Sequence, residues 1–349
     1  MVSEMSRDKT VGIRVDVNET IATGHAMRCL SIAKQIEKLG EKVVMLVADE
    51  ASAQFLSNYT YPIIILHSNW QKLEEELVVL QKVIEEEKIG FFFVDSYFAT
   101  DFYLATVKQW TKVGYIDDLL ERKVELDLIL NYAHYVSLEA YSYVQDKNSL
   151  MLGSKYAPLR EEFSDGYSKW QDKVEHIFIT TGGTDQLGVS LALLKEIERR
   201  KAFSSITFHV IVGKLNQYKK EIKALTDCHS NMIYYENTDK MAQIMKQCQL
   251  AISAGGTTLL ELCALRVPTI CFAIADNQLM GIQSYANSEI MVSLGDIREQ
   301  LDTYGAKCIN QVEELVNHPE KRKRYWKNMA QEVDGTGARK VAERIVMFL

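Results

Sequence analysis

The sequence has few of the residues that mark secreted, membrane-spanning or nucleic-acid-binding proteins. Only 4 of its 349 residues are proline and 6 are cysteine, and no two cysteines form a Cys-x-x-Cys pair, so neither a disulfide framework nor a zinc motif is indicated. No apolar run is long enough to cross a bilayer. Acidic residues (47) outnumber lysine and arginine (40), and the net charge of −7 argues against nucleic acid as a partner.

The chain is expected to be cytoplasmic, without stable membrane association. Residues 1–10 are polar and lack the apolar core of a signal peptide, and the basic segment 321–327 is predicted to be a solvated helix face. Four cysteines lie in apolar patterns and are predicted to be small core residues: Cys29, Cys248, Cys263 and Cys271. No feature of the sequence specifies an oligomeric state.

Strand-like and helix-like segments alternate along both halves of the chain, which predicts an α/β protein with mainly parallel sheets. The pattern breaks at 156–163, and a polar helical stretch is predicted from there to about Asp172. We expect an N-terminal domain over 1–160, a second domain over 161–330 and a C-terminal helix over 331–349 that packs back on the first. Two facing doubly wound, Rossmann-like domains with a ligand in the cleft between them are the expected architecture.

The stretch 14–33 organises the first half. An apolar run over 11–17 predicts a strand, a polar loop follows, and apolar positions at helical spacing predict a helix that begins at Gly24-His25 and ends at Gly40. A helix N-terminus at the carboxyl end of a strand is the usual anion site of open α/β folds. His25 is there either as an acid–base group that works near neutral pH or as a residue that caps or packs the helix.

Acidic residues follow three of the predicted strands. Asp16 and Asp95 can each orient a catalytic partner or cap a turn, and both interpretations stay open. Asp117-Asp118 could hold a divalent ion, but the end of a strand and the cap of a helix are favoured. No cluster of residues has metal-ligand spacing, so neither a metal nor another cofactor is predicted.

Two glycine pairs open the loops of the second half. In Gly255-Gly256-Thr257-Thr258 the glycines let a phosphate approach the backbone N–H groups, and the hydroxyls add donors. Glu261, one turn later, can accept from ribose hydroxyls; the alternative is a glycine-rich helix start with a solvated glutamate. The turn 181–185 is either a ligand loop or a tight turn whose Asp185 caps the next helix. Neither pair has the spacing of a Walker A loop or of the Rossmann dinucleotide fingerprint.

Seven short motifs, in order, resemble those of GT-B-type glycosyltransferases, and more closely those of the UDP-sugar hydrolases of pseudaminic acid biosynthesis. The likeness extends along most of the chain, and the peptidoglycan transferase that adds N-acetylglucosamine to lipid I is a broader relative. The motifs are Arg-Val-Asp at 14–16, Gly-His-Ala-Met-Arg at 24–28, Val-Asp-Ser-Tyr at 94–97, Ile-Asp-Asp at 116–118, Tyr-Ala-Pro-Leu-Arg-Glu-Glu-Phe at 156–163, Gly-Gly-Thr-Asp at 182–185 and Asp-Asn-Gln at 276–278.

The resemblance implies a role for each candidate residue. The catalytic base falls on His25, with Asp16 as the residue that orients it, and Tyr97 and Asn277 as further active-site positions. The implied nucleotide contacts are Gly255, Gly256, Thr257, Thr258, Glu261, Ser253 and Gly213. The implied substrate contacts are Gly24, Arg28, Gly182, Gly183, Thr184, Asp185 and Gln278. Two positions depart from the family pattern: Ala22 stands where a glycine is usual, and Ser96 where histidine is frequent.

The implied activity is metal-independent, inverting hydrolysis of a UDP-linked amino-deoxy sugar, UDP-2,4-diacetamido-2,4,6-trideoxy-β-L-altrose, to free sugar and UDP. One alternative is a glycosyltransferase that passes the sugar to an acceptor hydroxyl. Another is a nucleotide-sugar-binding subunit without catalysis, against which the presence of His25 speaks. No basic, apolar membrane-facing patch is recognised in the N-terminal domain, which favours the hydrolase.

Overall fold

The computed structural model describes residues 9–18, 21, 23–200 and 203–349, which form two compact units. The first unit contains the described residues up to Glu161 together with Thr336–Leu349, and the second is Glu162–Gly335. Each unit has one sheet whose strands are all parallel, with α-helices between most successive strands. The predicted α/β class with doubly wound parallel sheets is confirmed.

The first unit is built on a seven-stranded sheet. Its strands are β1 (Thr10–Val15), β2 (Lys42–Val47), β3 (Ile63–Ile65), β4 (Ile89–Asp95), β5 (Lys112–Ile116), β6 (Leu128–Asn131) and β7 (Leu150–Leu152). Its helices up to Glu161 are α1 (Gly24–Lys38), α2 (Glu50–Leu56), α3 (Leu77–Glu86) and α4 (Asp101–Val107). The strand order is β3-β2-β1-β4-β5-β6-β7, so the direction of winding reverses between β1 and β4. Ligands of open α/β sheets bind at such a reversal, beside the carboxyl ends of the strands.

The centre of this sheet is made by strands that are apolar on both faces. In β4 the run Phe91-Phe92-Phe93-Val94 is completely buried, as expected for a strand covered by helices on either side. Asp95 ends the strand and pairs in register with Val15 of β1. The core therefore holds the carboxyl ends of β1 and β4 side by side.

The second unit repeats this plan with six strands. They are β8 (His176–Thr180), β9 (Thr207–Val212), β10 (Met232–Glu236), β11 (Leu250–Ala254), β12 (Thr269–Ala273) and β13 (Val292–Asp296). Its helices are α5 (Val189–Arg199), α6 (Lys219–Asp227), α7 (Met241–Gln247), α8 (Thr258–Ala264), α9 (Asp276–Asn287), α10 (Leu301–Asn317) and α11 (Pro319–Met329). The order β10-β9-β8-β11-β12-β13 reverses between β8 and β11, and the loops with the two glycine pairs follow those two strands.

One more helix, α12 (Gly337–Val346), returns to the first unit and packs on α1. Its residues Val341 and Ile345 are fully buried. Beyond it, the ring of Phe348 stacks on that of Phe91, with 5.3 Å between centroids. Apolar contacts thus attach the end of the described chain to the first sheet.

Several predicted elements differ in the structure. The helix predicted over 70–87 begins only at Leu77, because a 3-10 turn, Leu73–Glu76, precedes it and turns Glu76 into the interior. The polar helix predicted up to Asp172 is absent there, since Gly166 takes a left-handed backbone (φ +74°). Strands β7 and β13 had no predicted counterpart. The helix predicted over 296–316 begins only at Leu301, because Asp296 is the last residue of β13.

Other local predictions are confirmed. Helix α1 begins at Gly24, and Gly40 follows its end with a φ of +89°. The four cysteines predicted to lie in the core are buried.

No helix in the described ranges is long and apolar enough to cross a membrane. Ala22, and the predictions made for residues 1–8, lie outside the described residues.

Candidate functional site

His25 and Asp95 meet at the reversal point of the first sheet. His25 lies in the first turn of α1, which follows β1, and Asp95 is the last residue of β4. The Nδ1 atom of His25 is 2.6 Å from Oδ1 of Asp95, and both residues are buried (8% and 2% exposed). When Nδ1 donates its proton to this carboxylate, Nε2 becomes the basic nitrogen of the neutral imidazole.

Arg28, one turn after His25 in α1, donates hydrogen bonds to the carboxylate of Asp95. Its Nε and Nη2 donate to the two carboxylate oxygens at 2.6 and 2.5 Å. Its Nη1 donates to Asp118 at 2.6 Å and also to the hydroxyl of Tyr132. Arg28 was expected to contact the substrate; instead, all three of its nitrogens are engaged with protein groups. Its geometry makes it a residue that positions Asp95.

The charge state of Asp95 follows from these contacts. Burial alone would raise the pKa of this carboxyl, but Arg28 and then His25 outweigh burial and hold the pKa well below its usual range. Asp95 is therefore ionised at neutral pH. An ionised carboxylate beside Nδ1 fixes the tautomer of His25 and stabilises the imidazolium that forms when Nε2 takes a proton.

Asp16 was expected to orient His25, but its carboxylate contacts other groups. Its carboxylate accepts from Arg14 at 2.6 Å and from the backbone N–H of Ala48 at 2.8 Å. Arg14, fully buried, also donates to both oxygens of Glu76 at 2.8 and 3.0 Å. Desolvation is the largest influence on Asp16 and raises the pKa of its carboxyl. Asp16 thus belongs to a buried ion cluster with Arg14 and Glu76, and the carboxylate in contact with His25 is that of Asp95.

Tyr97 lies beside the imidazole. The rings of His25 and Tyr97 meet edge to face, with centroids 4.6 Å apart. The Tyr97 hydroxyl is 3.3 Å from Asp118, and burial, followed by that carboxylate, raises the pKa of Tyr97 to about 12. The side chain is 41% exposed, so a neutral phenol is available to donate a hydrogen bond to a ligand.

The two adjacent carboxylates at 117–118 point to different partners. Asp117 is buried and accepts from the Tyr141 hydroxyl at 3.0 Å, whereas Asp118 accepts from Arg28. In the described part of the chain no three His, Cys, Asp or Glu side chains lie close enough together to hold a metal ion.

In the second unit, the Gly255–Thr258 loop packs so closely on α9 at Gly255 that a side chain there would clash. A Cβ on Gly255 would lie 2.8 Å from Ile282 Cγ2 and 2.9 Å from Gln278 Cβ, whereas one on Gly256 would meet open space. Gly256 and Thr257 are exposed, and Glu261 is half-buried. Ser253 is buried, with its hydroxyl on the Ala254 carbonyl. The loop thus offers an accessible backbone at the carboxyl end of β11.

The other glycine loop touches the end of β9. A Cβ on Gly213 would lie 2.3 Å from the carbonyl oxygen of Gly183, so only glycine fits there. Gly182, with a φ of +88°, Gly183 and Thr184 are all exposed. The loops after β8 and β9 therefore lie in direct contact, which places the predicted residues 182–184 and Gly213 together.

Two residues predicted to contact the substrate accept hydrogen bonds from the backbone of their own unit. Asp185 is fully buried, and its oxygens accept from the backbone N–H groups of Val189 and Ser190 at 2.8 and 3.0 Å. The N-cap residue of α5 is Gly188, and Asp185 satisfies the first two N–H groups of the helix from three positions before it. The Oε1 atom of Gln278 accepts from the N–H of Ile274 at 2.9 Å, so this side chain braces the loop before α9.

Asn277 is exposed in the first turn of α9. Its neighbour Asp276 accepts from Arg298 at 2.7 Å. Arg298 also pairs with Asp296 at the end of β13 and lowers the pKa of that carboxyl to about 2. The start of α9 is thereby tied to the carboxyl end of β13. Gly24, the remaining predicted contact, is exposed at the start of α1.

Some residues of the first-unit site had no signal in the sequence. Glu76, Tyr132, Trp70 and Phe98 come from segments without a recognisable motif. Only the fold brings Glu76 to Arg14 across 62 positions and Tyr132 to Arg28 across 104. A sequence signal did exist for Asp95, since it ends a continuous apolar strand.

Residues 176–345 match the glycosyltransferase family 28 C-terminal domain. The UDP-2,4-diacetamido-2,4,6-trideoxy-β-L-altropyranose hydrolase of Campylobacter jejuni is 25% identical over 264 residues, covering 74% of this chain and 90% of that protein. The pseudaminic acid cytidylyltransferase and UDP-2,4-diacetamido-2,4,6-trideoxy-β-L-altropyranose hydrolase of Helicobacter pylori is 26% identical over 274 residues, 77% of this chain. The match covers only 45% of that second protein.

Solved structures share the fold across nearly the whole chain. MurG of Acinetobacter baumannii has a TM-score of 0.67 at 12% identity, with 97% of this chain and 99% of that one covered. The UDP-GlcNAc 2-epimerase of Neisseria meningitidis, bound to UDP-GlcNAc, has a TM-score of 0.66 at 12% identity, with 97% and 100% covered. With its two parallel α/β units, the chain has the GT-B-type fold of these structures. It is similar in sequence to the Campylobacter hydrolase, so the resemblance predicted from the motifs is confirmed.

Proposed function

We propose that this protein hydrolyses a UDP-linked amino-deoxy sugar, UDP-2,4-diacetamido-2,4,6-trideoxy-β-L-altrose, to the free sugar and UDP. The observation that carries the proposal is the 2.6 Å contact between His25 Nδ1 and an ionised Asp95 at the reversal point of the first sheet. Such a pair makes Nε2 the nitrogen that can accept a proton from water. The names of the two similar curated proteins support the substrate and a place in pseudaminic acid biosynthesis.

In the proposed reaction, Nε2 of His25 takes a proton from a water molecule while the water oxygen attacks C1 of the sugar. The bond between C1 and the UDP oxygen breaks, and UDP leaves with the bonding electrons. Asp95 stabilises the imidazolium, and Arg28 keeps Asp95 ionised and in place. Attack from the side opposite UDP inverts C1, by the geometry of inverting glycosidases. Tyr97 and Asn277 position the sugar or the water.

The nucleotide is assigned to the second unit. Gly256 and Thr257 are exposed at the reversal point between β8 and β11. The N–H groups of Gly255 and Gly256 donate to the carbonyls of Phe272 and Ala254 at 2.8 Å. The proposed donors to the diphosphate are therefore the N–H groups of Thr257 and Thr258 at the start of α8. Glu261, one helical turn on, is the proposed acceptor for ribose hydroxyls. Backbone donors can carry the diphosphate charge without a cation, so the proposed reaction is metal-independent.

A second candidate is a glycosyltransferase in which an acceptor hydroxyl replaces water. The match of residues 176–345 to a glycosyltransferase domain favours it. Its chemistry would use the same base, since an acceptor hydroxyl must also lose a proton. The two candidates differ only in the group that attacks C1.

The test is to incubate the full chain with a panel of UDP-sugars without acceptor and to measure UDP release, with and without EDTA. Hydrolysis predicts UDP and an equal amount of free sugar of inverted anomeric configuration, which NMR detects before mutarotation. Release that requires an added acceptor would establish the transferase instead. Loss of release in EDTA, with recovery in magnesium, would contradict metal independence.

A further inference from the structure

Two aromatic rings meet above the carboxyl edge of the first sheet. Trp70 follows β3 and Phe98 follows β4, and the strand order sets β2 and β1 between those two strands. The rings nevertheless lie edge to face, with centroids 5.2 Å apart. Trp70 is half-buried and Phe98 is 36% exposed, so this pair, here called the Trp70–Phe98 wall, is not part of the core.

The wall lines a cavity of about 190 Å³ together with Asp16, Ile21, His25, Asp95, Ser96 and Tyr97. The carboxylates are already hydrogen-bonded inside the protein, Asp16 to Ala48 N–H and Asp95 to His25 and Arg28. A molecule that enters the cavity therefore meets an imidazole, a phenol and Ser96 together with the carbon surface of two aromatic rings and of Ile21.

This lining distinguishes between sugar substituents. Aromatic carbon packs favourably against a methyl group, whereas a hydroxyl directed at it gives up its hydrogen bonds to water without replacement. Acetamido and 6-deoxy groups present methyl groups where an ordinary hexose presents hydroxyls. We propose that the Trp70–Phe98 wall determines sugar specificity by packing against the methyl groups of an acetamido-deoxy sugar and by disfavouring fully hydroxylated sugars. This inference rests on the proposed function and deepens it.

The test measures affinity, so that it does not depend on turnover. In a His25→Asn background, calorimetry compares UDP-N-acetylglucosamine with UDP-glucose, which differ only in the acetamido group at C2. The wall predicts binding of the acetamido sugar at least about tenfold tighter, the scale of discrimination by a small apolar contact. Trp70→Ala or Phe98→Ala in that background should reduce the ratio to below about threefold and leave the affinity for UDP alone unchanged. Trp70→Phe should preserve most of the ratio.

The matched control is Phe102→Ala, which removes an aromatic ring that is 66% exposed on α4 and does not line the cavity. It should leave the ratio unchanged. Equal affinities for the two sugars in the background protein, or an unchanged ratio in both wall variants with normal UDP binding, would overturn the inference. Failure of the proposed function is a separate result: protein with His25 intact would release no UDP without acceptor, while the affinity ratio still decides the role of the wall.

Discussion

Asp95 Oδ1 lies 2.6 Å from Nδ1 of His25. This contact joins the end of one strand to the first turn of the helix that follows its neighbour, 70 positions away in sequence. The same carboxylate is held by the fork of Arg28, so it cannot turn away from the imidazole without breaking two further hydrogen bonds. His25, Asp95 and Arg28 consequently form one rigid group, and their substitutions should have distinguishable effects.

Replacing His25 by Ala or Asn should lower kcat by about 10²–10⁴-fold, the usual contribution of a general base. The affinity for UDP should hardly change, because the nucleotide is assigned to the second unit. Steady-state kinetics and calorimetry of the same preparations check this. Near wild-type turnover, or an activity loss that parallels a loss of UDP binding, would show that His25 is not the base.

Asp95→Asn should lower kcat at least about tenfold, because a neutral amide no longer fixes the tautomer of His25 or stabilises its protonated form. Asp16→Asn is the comparison, since Asp16 contacts Arg14 and not His25. It should act mainly on the free energy of unfolding, by about 1–3 kcal/mol, the cost of impairing a buried charged hydrogen bond. Kinetics together with melting temperatures separate the effects, and the reverse pattern would restore Asp16 as the orienting residue.

Glu261→Ala should weaken UDP binding by about 1–3 kcal/mol, the scale of hydrogen bonds that involve a charged group. Glu261→Gln, which keeps one acceptor oxygen, should lose less. Calorimetry with UDP gives both values. Unchanged affinity in the alanine variant would remove Glu261 from the nucleotide site.

Gly213→Ala should distort the paired loops after β8 and β9, because its Cβ would lie 2.3 Å from the Gly183 carbonyl oxygen. We expect a loss of unfolding free energy of about 1–3 kcal/mol, as for overpacked positions, and weaker UDP binding. Gly183→Ala is the matched control, since its Cβ would meet open space. Equal melting temperatures for the two variants would show that the contact is not tight.

The second unit should lose stability in acid through His209. This buried residue contacts His176 through Nε2 at 3.0 Å, and burial, followed by His176, lowers the pKa of His209 to about 4. Between that value and the unfolded pKa near 6.5, only the unfolded chain binds the proton, so the free energy of unfolding falls as pH drops.

From pH 7.5 to pH 5 the loss from this group should be about 2 kcal/mol. His209→Gln should remove that part of the pH dependence. Denaturant unfolding at the two pH values measures it, and an identical pH dependence in wild type and variant would contradict the assignment.

The fold could be predicted because each strand and helix carries its own period of apolar residues. The exceptions lie where local pattern is weakest: β13 is half-buried along its whole length, and Glu76 turns inward within a run of acidic residues that reads as a solvated helix. Glu76 is held by Arg14, 62 positions away, and β13 by its pairing with β12. Neither contact leaves a local periodicity in the sequence.

Some residues of the candidate site could likewise be predicted from the sequence, and others could not. His25 and the glycine loops could be proposed from motifs, because a strand, a loop and a helix start lie within a few positions of one another. The sequence could not predict that His25 contacts Asp95 and not Asp16. Both carboxylates lie at the carboxyl ends of neighbouring strands, and only the register of β1 with β4 determines which of them His25 contacts. Likewise, no local signal predicts that the Trp70 ring meets that of Phe98.

Helix α12 makes the first unit discontinuous in the chain, with the whole of the second unit inserted between its two pieces. During synthesis, the ribosome completes Glu162–Gly335 before it makes the helix that covers α1. Domains generally fold as units as they emerge, so the second unit can close while the apolar face of α1 is still bare. The unit that carries His25 is therefore the last to be finished, although its first strand is made earliest.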